Sequence, residues 1–233
     1  MSNNILSNFA DKICVSWESS LKYFPKNKRV FTGNPVRKKF FEPCLLPQGS
    51  GPLIFIFGGA TGSHAINVLI EKIIEKLLEK YRVLHLTGAM DFEGINQKKK
   101  GLKFANKYLT LPSLSPIHMG YVLKNSSLVI SRSGVNTVTE LINFQKPAVL
   151  IPLPFGQKNE QLGNARFIER LGLAEVLIQE ETNPGILSQT VNSMLENPDK
   201  YALKEKNILI ENAADKILTA VSDAANKKNK KTE

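Results

Sequence analysis

The sequence predicts an α/β fold in which a parallel β-sheet is covered by helices on both faces. Short apolar segments alternate with longer segments whose apolar residues recur at helical spacing, and the connections between them are short. The segment 53–57, LIFIF, is apolar throughout, as expected of a strand that is buried on both faces of a parallel sheet. Because ligands of such folds bind outside the carboxyl ends of the strands, we expect the functional site at that edge.

The elements follow one another along the whole chain. Strands are predicted over residues 12–16, 29–32, 53–57, 82–87, 107–111, 128–130, 148–151 and 175–178. Helices are predicted over 18–23, 184–195 and 206–225, with a long helix that includes 66–78, a short one that ends at 124, one that begins at 133–134 and one that ends at 170. Residues 91–101 are predicted to form a polar, lysine-rich excursion between two strands.

The length of 233 residues is enough for one large domain or for one and a half. Cys14 and Cys44 form no CxxC pair, which is typical of a reduced cytosolic protein. The three histidines, His64, His85 and His118, are not at ligand spacing to one another or to a cysteine. We therefore predict neither a metal site nor a bound cofactor.

The first twelve residues have neither the basic start nor the apolar core of a signal peptide, and no window reaches the roughly 18 apolar residues of a membrane span. A cytoplasmic location is expected. The net charge of +10 includes two lysine clusters, at 98–100 and 227–231. Such clusters fit an anionic membrane surface, nucleic acid or a solvated tail that keeps the protein soluble, and residues 226–233 are predicted to be a disordered basic tail.

The stretch 128–165 contains the strongest functional signal. A strand ends there at a polar turn, where Ser133 is predicted to cap the following helix and Gly134 to permit close approach of a ligand. A helix N-terminus attracts phosphate, and Thr137 and Glu140 lie on the polar face of the same helix. The two acceptor oxygens of Glu140 suit a vicinal diol such as ribose. This spacing fits a nucleotide, although an ordinary strand-helix-strand unit with a solvated face has the same pattern.

A second polar group follows the strand at 148–151. The loop after that strand leads to Glu160, Gln161 and Asn164, whose carboxylate and amide groups are suited to bind sugar hydroxyls.

Several motifs together resemble one known family. SRSGVNTVTEL, KPAVLIPLPF and EQLGNA occur in that order, with FADKICVSWESSLKYFPKNKRVFTGNPVRK near the start and GGATGSHAIN after the strand at 53–57. They resemble the carboxy-terminal, donor-binding half of the MurG family, glycosyltransferase family 28. This family transfers N-acetylglucosamine from its UDP derivative in the lipid I to lipid II step of peptidoglycan synthesis. The resemblance implies a GT-B-type, Rossmann-like donor domain over 37–225. A remnant α/β unit of the acceptor domain and the interdomain crossing would occupy 1–36.

The resemblance also implies further site residues. Arg37 would bind the diphosphate, and the loop that contains Gly59 and Ala60 would lie against the diphosphates of donor and acceptor. Asn67 matches the asparagine that follows this loop in the family, although the loop reads GGATGS here and usually GGSQGA there. Leu114 falls in the loop that holds the uracil, where the family's aromatic residue is a serine in this chain. The stacking ring is thus missing or comes from elsewhere.

The reaction implied by the resemblance is an inverting, metal-independent sugar transfer in which UDP leaves. Arg37 and the helix start at Ser133 and Gly134 would stabilise the leaving diphosphate. Glu140 would hold the ribose, and Glu160, Gln161 and Asn164 would position the N-acetylglucosamine. The general base and the undecaprenyl-linked acceptor are expected in the acceptor domain, most of which this chain lacks. Without it the chain should be inactive.

Alternative interpretations remain open at the level of sequence. The chain is either a fragment of a longer gene, the catalytic subunit of a split enzyme like the two-chain transferase of dolichol-linked sugar synthesis, or a non-catalytic nucleotide-sugar-binding module. A nucleic-acid-binding protein is disfavoured, because the lysine clusters contain no interleaved aromatic residues. For the transferase, a position at the inner face of the cell membrane is expected.

Overall fold

The protein divides into two compact units, which we describe separately. The computed structural model describes residues 2–44, 49–155, 159–204 and 212–229. The first unit contains Met1–Val36 with Lys206–Glu233, and the second contains Arg37–Glu205. The change of unit after residue 36 falls at the Gly-Asn-Pro turn, where the sequence predicts a crossing between domains.

In the first unit, helix α1 (Ser2–Phe9) precedes two short parallel strands, β1 (Ile13–Val15) and β2 (Arg29–Phe31). The segment Glu18–Tyr23 between the strands, which the sequence predicts as a helix, is a 3₁₀ helix. The Lys28 ammonium group donates to the carbonyl oxygens of Ser7 and Asn8 at 3.2 and 2.9 Å. It thus satisfies carbonyl groups at the end of α1, which have no partner within the helix.

The carboxy-terminal helix, Ala213–Asn229, corrects two predictions. It belongs to the first unit, whereas the sequence predicts that it packs against the large sheet. The prediction of a disordered tail is wrong for residues 226–229, which continue the helix. These residues contain no glycine or proline, and lysine favours the helix. Residues 206–211 and 230–233 lie outside the described part of the chain.

The second unit is built on a six-stranded parallel sheet. Its strands are β3 (Leu53–Phe57), β4 (Arg82–Leu86), β5 (Tyr108–Leu111), β6 (Leu128–Ser131), β7 (Ala148–Leu150) and β8 (Ala174–Val176). The spatial order is β5-β4-β3-β6-β7-β8, and every neighbouring pair is parallel. This is the strand order of Rossmann-type folds, so the predicted fold class is confirmed.

Helices connect the strands and cover the sheet on both faces. They are α2 (His64–Glu71), α3 (Ile74–Lys80), α4 (Ala89–Lys99), α5 (Pro116–Asn125), α6 (Val135–Asn143), α7 (Glu160–Arg170) and α8 (Pro184–Glu196). Ile54 and Ile56 belong to a core cluster with residues of α2, α3 and α8. Phe55 and Phe57 alternate with them and stack on each other at 4.9 Å. Because successive side chains of a strand point to opposite faces, the apolar LIFIF segment fills both layers.

Two elements differ from their predictions. The long helix expected over 66–78 is interrupted at Lys72 and Ile73, where the Ile73 N–H bonds to the Ile70 carbonyl oxygen in a tighter turn. Ile73 remains buried, so the apolar spacing continues through the break. Residues 91–101 are largely helical: all but the last two belong to α4. This helix buries a single apolar residue, Ile95, so its sequence carries no helical stripe.

Gly120 in α5 permits a close contact that a larger residue would break. A Cβ atom added at Gly120 would overlap the backbone of Phe40, including its carbonyl oxygen. We expect Gly120→Ala to lower the free energy of unfolding by about 1–3 kcal/mol, measured by urea denaturation. Gly94→Ala is the matched control, because Gly94 lies in α4 with open space around it. That substitution should raise stability by about 0.5–1 kcal/mol. Equal effects of the two changes would contradict the packing argument.

Candidate functional site

The candidate site lies at the carboxyl edge of the sheet in the second unit. The chain enters the sheet at β3 and builds outward to β5, then returns to the other side of β3 with β6. Phe57 and Ser131, the last residues of β3 and β6, are paired in register. The loops that follow these two strands therefore leave the sheet side by side. This reversal of strand order is where Rossmann-type folds bind nucleotides.

The helix that follows β6 begins without a side-chain cap. Gly134 is the N-cap residue of α6, and a Cβ atom added there would meet no atom within 4 Å. The prediction that Ser133 caps this helix is wrong. Its hydroxyl group is buried and donates to the Gln161 carbonyl oxygen at 2.8 Å. The N-terminus of α6, with its positive partial charge, thus borders open space.

Three of the predicted residues form one hydrogen-bonded cluster. Besides the bond from Ser133 to Gln161, the Asn164 side-chain amide donates to the Ser133 carbonyl oxygen at 3.1 Å. The Gln161 side-chain oxygen accepts from the Leu153 N–H at 3.0 Å. The cluster fixes the start of α7 against the turn before α6. Glu160, the first residue of α7, is exposed beside it.

Glu140 and Arg37 interact electrostatically. Glu140 is half-buried on α6, and burial raises the pKa of its carboxyl group from 4.5 to about 7. Arg37, which is exposed, acts in the opposite direction and lowers this pKa. Thr137, one turn earlier, retains only 8% of its exposure, so the polar face of α6 is narrower than its sequence suggests. The arginine is suited to bind an anionic group, and the carboxylate is suited to accept hydrogen bonds from hydroxyl groups.

The glycine-rich loop after β3 packs on the loop after β4. Gly62 and Gly88 have φ angles of +84° and +78°, and a Cβ atom at either one would collide with the backbone of the other loop. Gly59, with φ of +99°, and Ala60 are exposed on the outer part of the loop. These two residues are open to solvent, and their contact with a diphosphate stays a prediction.

Asn67 is buried and hydrogen-bonded within the protein. Its side chain is 2% exposed. The amide nitrogen donates to the Thr87 carbonyl oxygen at 2.8 Å and to Asp91 Oδ2 at 2.7 Å, and the amide oxygen lies 2.9 Å from His85 Nε2. All hydrogens of the amide are used within the protein. These bonds give Asn67 a structural role beneath the loop, and its contact with a donor stays a prediction.

Leu114 is half-buried in the loop between β5 and α5. Since β5 is the edge strand and β4 separates it from β3, this loop lies at one end of the carboxyl edge. The described residues also include an exposed aromatic side chain at that edge, Phe155, which is 91% exposed and follows β7.

The sequence interpretation missed Arg132, whose hydrogen bonds join the segments that follow strands β3, β7 and β8. Its guanidinium is almost fully buried and donates to Ser63 Oγ at 3.1 Å and to Gln179 Oε1 at 2.7 Å. It also donates to the carbonyl oxygens of Ile151 and Pro152, both at 3.0 Å. Burial lowers the pKa of Arg132, opposed by Glu180. An arginine directly after an apolar strand was the available signal, because a charge at that position needs buried partners.

Two kinds of feature are absent from residues 2–44, 49–155, 159–204 and 212–229. Within these ranges, no three His, Cys, Asp or Glu side chains are grouped as ligands of a metal ion. No helix in the same ranges is both long and apolar enough to cross a bilayer.

The strand order, which reverses between β3 and β6, defines a Rossmann-type domain. The family model described as glycosyltransferase family 28 C-terminal domain matches residues 53–224. The chain belongs to glycosyltransferase family 28, and the resemblance predicted from its motifs is confirmed.

Two bacterial proteins are similar to this chain in sequence. A Clostridium tetani protein named UDP-N-acetylglucosamine–N-acetylmuramyl-(pentapeptide) pyrophosphoryl-undecaprenol N-acetylglucosamine transferase is 31% identical over 239 residues, which cover 98% of this chain and 64% of the relative. A Bacillus cereus protein of the same name, numbered 2, is 36% identical over 218 residues, which cover 89% and 60%. The chain thus spans less than two thirds of the length of these relatives.

Solved structures show the same fold. Acinetobacter baumannii MurG aligns with a TM-score of 0.69 and 22% identity, covering 96% of this chain and 64% of that protein. The UDP-GlcNAc 2-epimerase of Neisseria meningitidis, solved with UDP-GlcNAc bound, aligns with a TM-score of 0.63 and 15% identity, covering 94% and 63%. The predicted GT-B-type, Rossmann-like class is confirmed by these likenesses.

Proposed function

We propose that this chain is the donor-binding half of an inverting N-acetylglucosaminyltransferase. It would bind UDP-N-acetylglucosamine and supply the sugar to an N-acetylmuramyl group on pyrophosphoryl-undecaprenol, the acceptor in the names of its relatives. The acceptor lipid would be held by a domain or subunit outside this chain, at the inner face of the cell membrane. No metal ion takes part in the proposed reaction.

The observation that carries this proposal is the arrangement at the reversal between β3 and β6. The uncapped N-terminus of α6 at Gly134 would bind the diphosphate, with Arg37 and the backbone of Gly59 and Ala60. Glu140, two turns along the same helix, would accept hydrogen bonds from the ribose hydroxyls. Glu160, Gln161 and Asn164 would contact the sugar, and the cluster around Ser133 holds their helix in place. Leu114 would contact the uracil. Thr137 would support the turn at the start of α6, where the diphosphate would bind.

Titration calorimetry of the full chain tests the proposal. UDP-N-acetylglucosamine and UDP should both bind, and free N-acetylglucosamine should bind far more weakly, because the helix terminus and Arg37 recognise the diphosphate. ADP-glucose is the matched control for base and sugar recognition and should bind at least tenfold more weakly. Binding of duplex DNA without binding of UDP-N-acetylglucosamine would contradict the proposal in favour of a nucleic-acid-binding protein.

A further inference from the structure

The first unit exposes several large apolar side chains. Ile5, Leu6 and Phe9 on α1 and Leu218 and Val221 on the carboxy-terminal helix are between 59% and 81% exposed. Single exposed apolar residues are ordinary, but a concentration of them in a small unit is typical of a surface that another molecule covers. We therefore looked for a second sign of a missing partner in the same unit.

The sheet of the first unit is too small to be stable alone. In the described part of the chain, β1 and β2 have three residues each and pair only with each other, in parallel. A two-stranded sheet is marginally stable at best, and parallel sheets are normally covered on both faces. Val15 is buried, whereas Cys14, which points to the other face, is exposed. One face of this sheet is thus covered, and the other is open at Cys14.

The hydrogen bonds of β1 show which of its backbone groups face outward. The Ile13 N–H donates to the Lys28 carbonyl oxygen at 2.8 Å. The Val15 carbonyl oxygen accepts from the Thr32 N–H at 3.2 Å. In a parallel ladder, the residue between two such bonded residues directs its own N–H and C=O away from the partner strand. The N–H and C=O of Cys14 therefore lie on the outer edge of β1.

The outer edge of β2 is partly occupied. By the same rule, Arg29 directs its N–H away from β1, and this group donates to the Pro25 carbonyl oxygen at 3.1 Å. The Arg29 guanidinium donates to the Leu21 carbonyl oxygen at 2.7 Å, which holds the 3₁₀ helix close to β2. A further strand would therefore join this sheet at β1.

A protein segment fits this surface better than a lipid surface or a second copy of the chain. A bilayer offers no partner for the N–H and C=O groups of an open strand edge. Two copies related by a twofold axis would pair their β1 edges in antiparallel direction, and the open face at Cys14 would remain uncovered in each copy. A segment that contributes both a strand and a helix would satisfy the edge and the face together.

The similar proteins contain additional residues of sufficient number. The matches cover 98% and 89% of this chain but only 64% and 60% of the Clostridium tetani and Bacillus cereus relatives. More than a third of each relative therefore has no counterpart in this chain. That length is enough for several strands and helices.

We propose that the outer edge of β1, together with the exposed apolar residues of α1 and of the carboxy-terminal helix, is the docking surface for a separate α/β polypeptide that completes the acceptor domain. One strand of this partner would add to β1 in parallel, and one of its helices would cover the face that contains Cys14. This inference rests on the proposed function, which requires an acceptor domain outside this chain.

Co-expression tests the docking. The full chain, carrying an affinity tag, is expressed together with the acceptor domain of the Bacillus cereus relative, and the two should purify as a complex of one copy each. In a Cys44→Ser background, Cys14 is the single thiol of the chain. Its alkylation by iodoacetamide, followed by mass spectrometry, should be roughly tenfold or more slower in the complex, because a helix of the partner would cover it.

Two substitutions separate the edge from the apolar residues. Cys14→Pro removes the outward N–H and leaves the bonds between β1 and β2 in place, so its circular dichroism should stay unchanged while the complex is lost. Cys14→Ser keeps the N–H and is the matched control. Phe9→Ser should raise the dissociation constant roughly 10- to 100-fold, measured by dilution of the purified complex. Leu109→Ser, at an exposed leucine of β5 in the second unit, should leave it unchanged.

Each contrary outcome is distinct. A tagged chain that purifies without the acceptor domain would overturn the proposal, and so would a complex that survives both Cys14→Pro and Phe9→Ser. A dimer of the chain that Cys14→Pro dissociates would overturn it in favour of a second copy. Binding to phosphatidylglycerol vesicles that Phe9→Ser abolishes, without any complex, would overturn it in favour of a lipid surface.

Calorimetry with UDP-N-acetylglucosamine distinguishes this proposal from the proposed function. A chain that forms the complex but does not bind the donor would contradict the proposed function and leave the docking surface in place. A chain that binds the donor but forms no complex would contradict the docking surface alone.

Discussion

Replacing Arg132 with methionine is expected to lower the free energy of unfolding by about 2–4 kcal/mol. The substitution removes the partner of Ser63 and Gln179 and of the carbonyl oxygens of Ile151 and Pro152. Ile151 is fully buried, and a buried acceptor without a partner costs about 1–3 kcal/mol. Relief from burying the guanidinium charge offsets part of this loss, which limits the net effect. Urea denaturation, followed by circular dichroism, measures the change.

Arg166→Met provides the control for Arg132. Arg166 lies on the outside of α7 and pairs with Glu169 at 2.9 Å, with its side chain 46% exposed. An exposed pair of this kind contributes at most about 1 kcal/mol, so Arg166→Met should be close to neutral. If the two variants unfold at the same urea concentration, the hydrogen bonds of Arg132 at the strand ends do not stabilise the fold as argued.

Replacing Glu140 with glutamine is expected to weaken donor binding and to stabilise the free protein. Loss of the charged acceptor for the ribose should reduce the affinity for UDP-N-acetylglucosamine by about 1.5–3 kcal/mol, roughly 10- to 150-fold. In the wild type, binding requires the ionised carboxylate. Affinity should therefore fall as the pH decreases below about 7, the pKa of Glu140 in the free protein. Calorimetry at pH 6, 7 and 8 measures both effects, and the glutamine variant should lose the pH dependence.

The Glu140→Gln substitution is expected to stabilise the free protein, although it weakens donor binding. Its folded pKa of about 7 is higher than the ordinary value of 4.5, so the folded protein binds the proton more tightly than the unfolded chain. Stability is therefore lost as the pH rises from 4.5 to 7 and stays reduced above 7. At about 1.4 kcal/mol per pKa unit, Glu140→Gln should be more stable than wild type by roughly 3–3.5 kcal/mol at pH 8, and nearly equal to it at pH 4.

Glu181→Gln is the control for Glu140, because Glu181 is an exposed glutamate outside the proposed site. It should change neither affinity nor stability. Unchanged donor affinity in Glu140→Gln would remove Glu140 from the nucleotide site, whereas a gain in stability alone would show only that its carboxylate is buried.

The fold was predictable because its signals are local or periodic. The LIFIF segment at 53–57 and the alternation of strands and helices indicate a parallel sheet without knowledge of any contact. Helix α4 lacks such a periodic signal, because it buries only Ile95, and the sequence therefore does not predict it. The break between α2 and α3 has no signal in the sequence, because Ile73 at the break is buried and the apolar spacing continues through it.

The site was only partly predictable because its hydrogen bonds join distant segments. Ser133 has the residue type of a helix cap, but its acceptor is the Gln161 carbonyl oxygen, 28 positions away. Asn67 matches a family motif, yet His85 and Asp91 from the neighbouring strand and helix use its amide group. The sequence predicts which groups are available for chemistry. Which of them are used internally depends on partners that only the fold brings together.

The divided first unit has a consequence for how the chain is made. Its segments are Met1–Val36 and Lys206–Glu233, so the whole of the second unit is synthesised between them. A ribosome adds about 5–20 residues per second, so the six-stranded sheet can fold before Lys206–Glu233, the second segment of the first unit, has been made. A chain that stops directly before Ala213 would therefore keep the whole sheet and leave the first unit without the helix Ala213–Asn229.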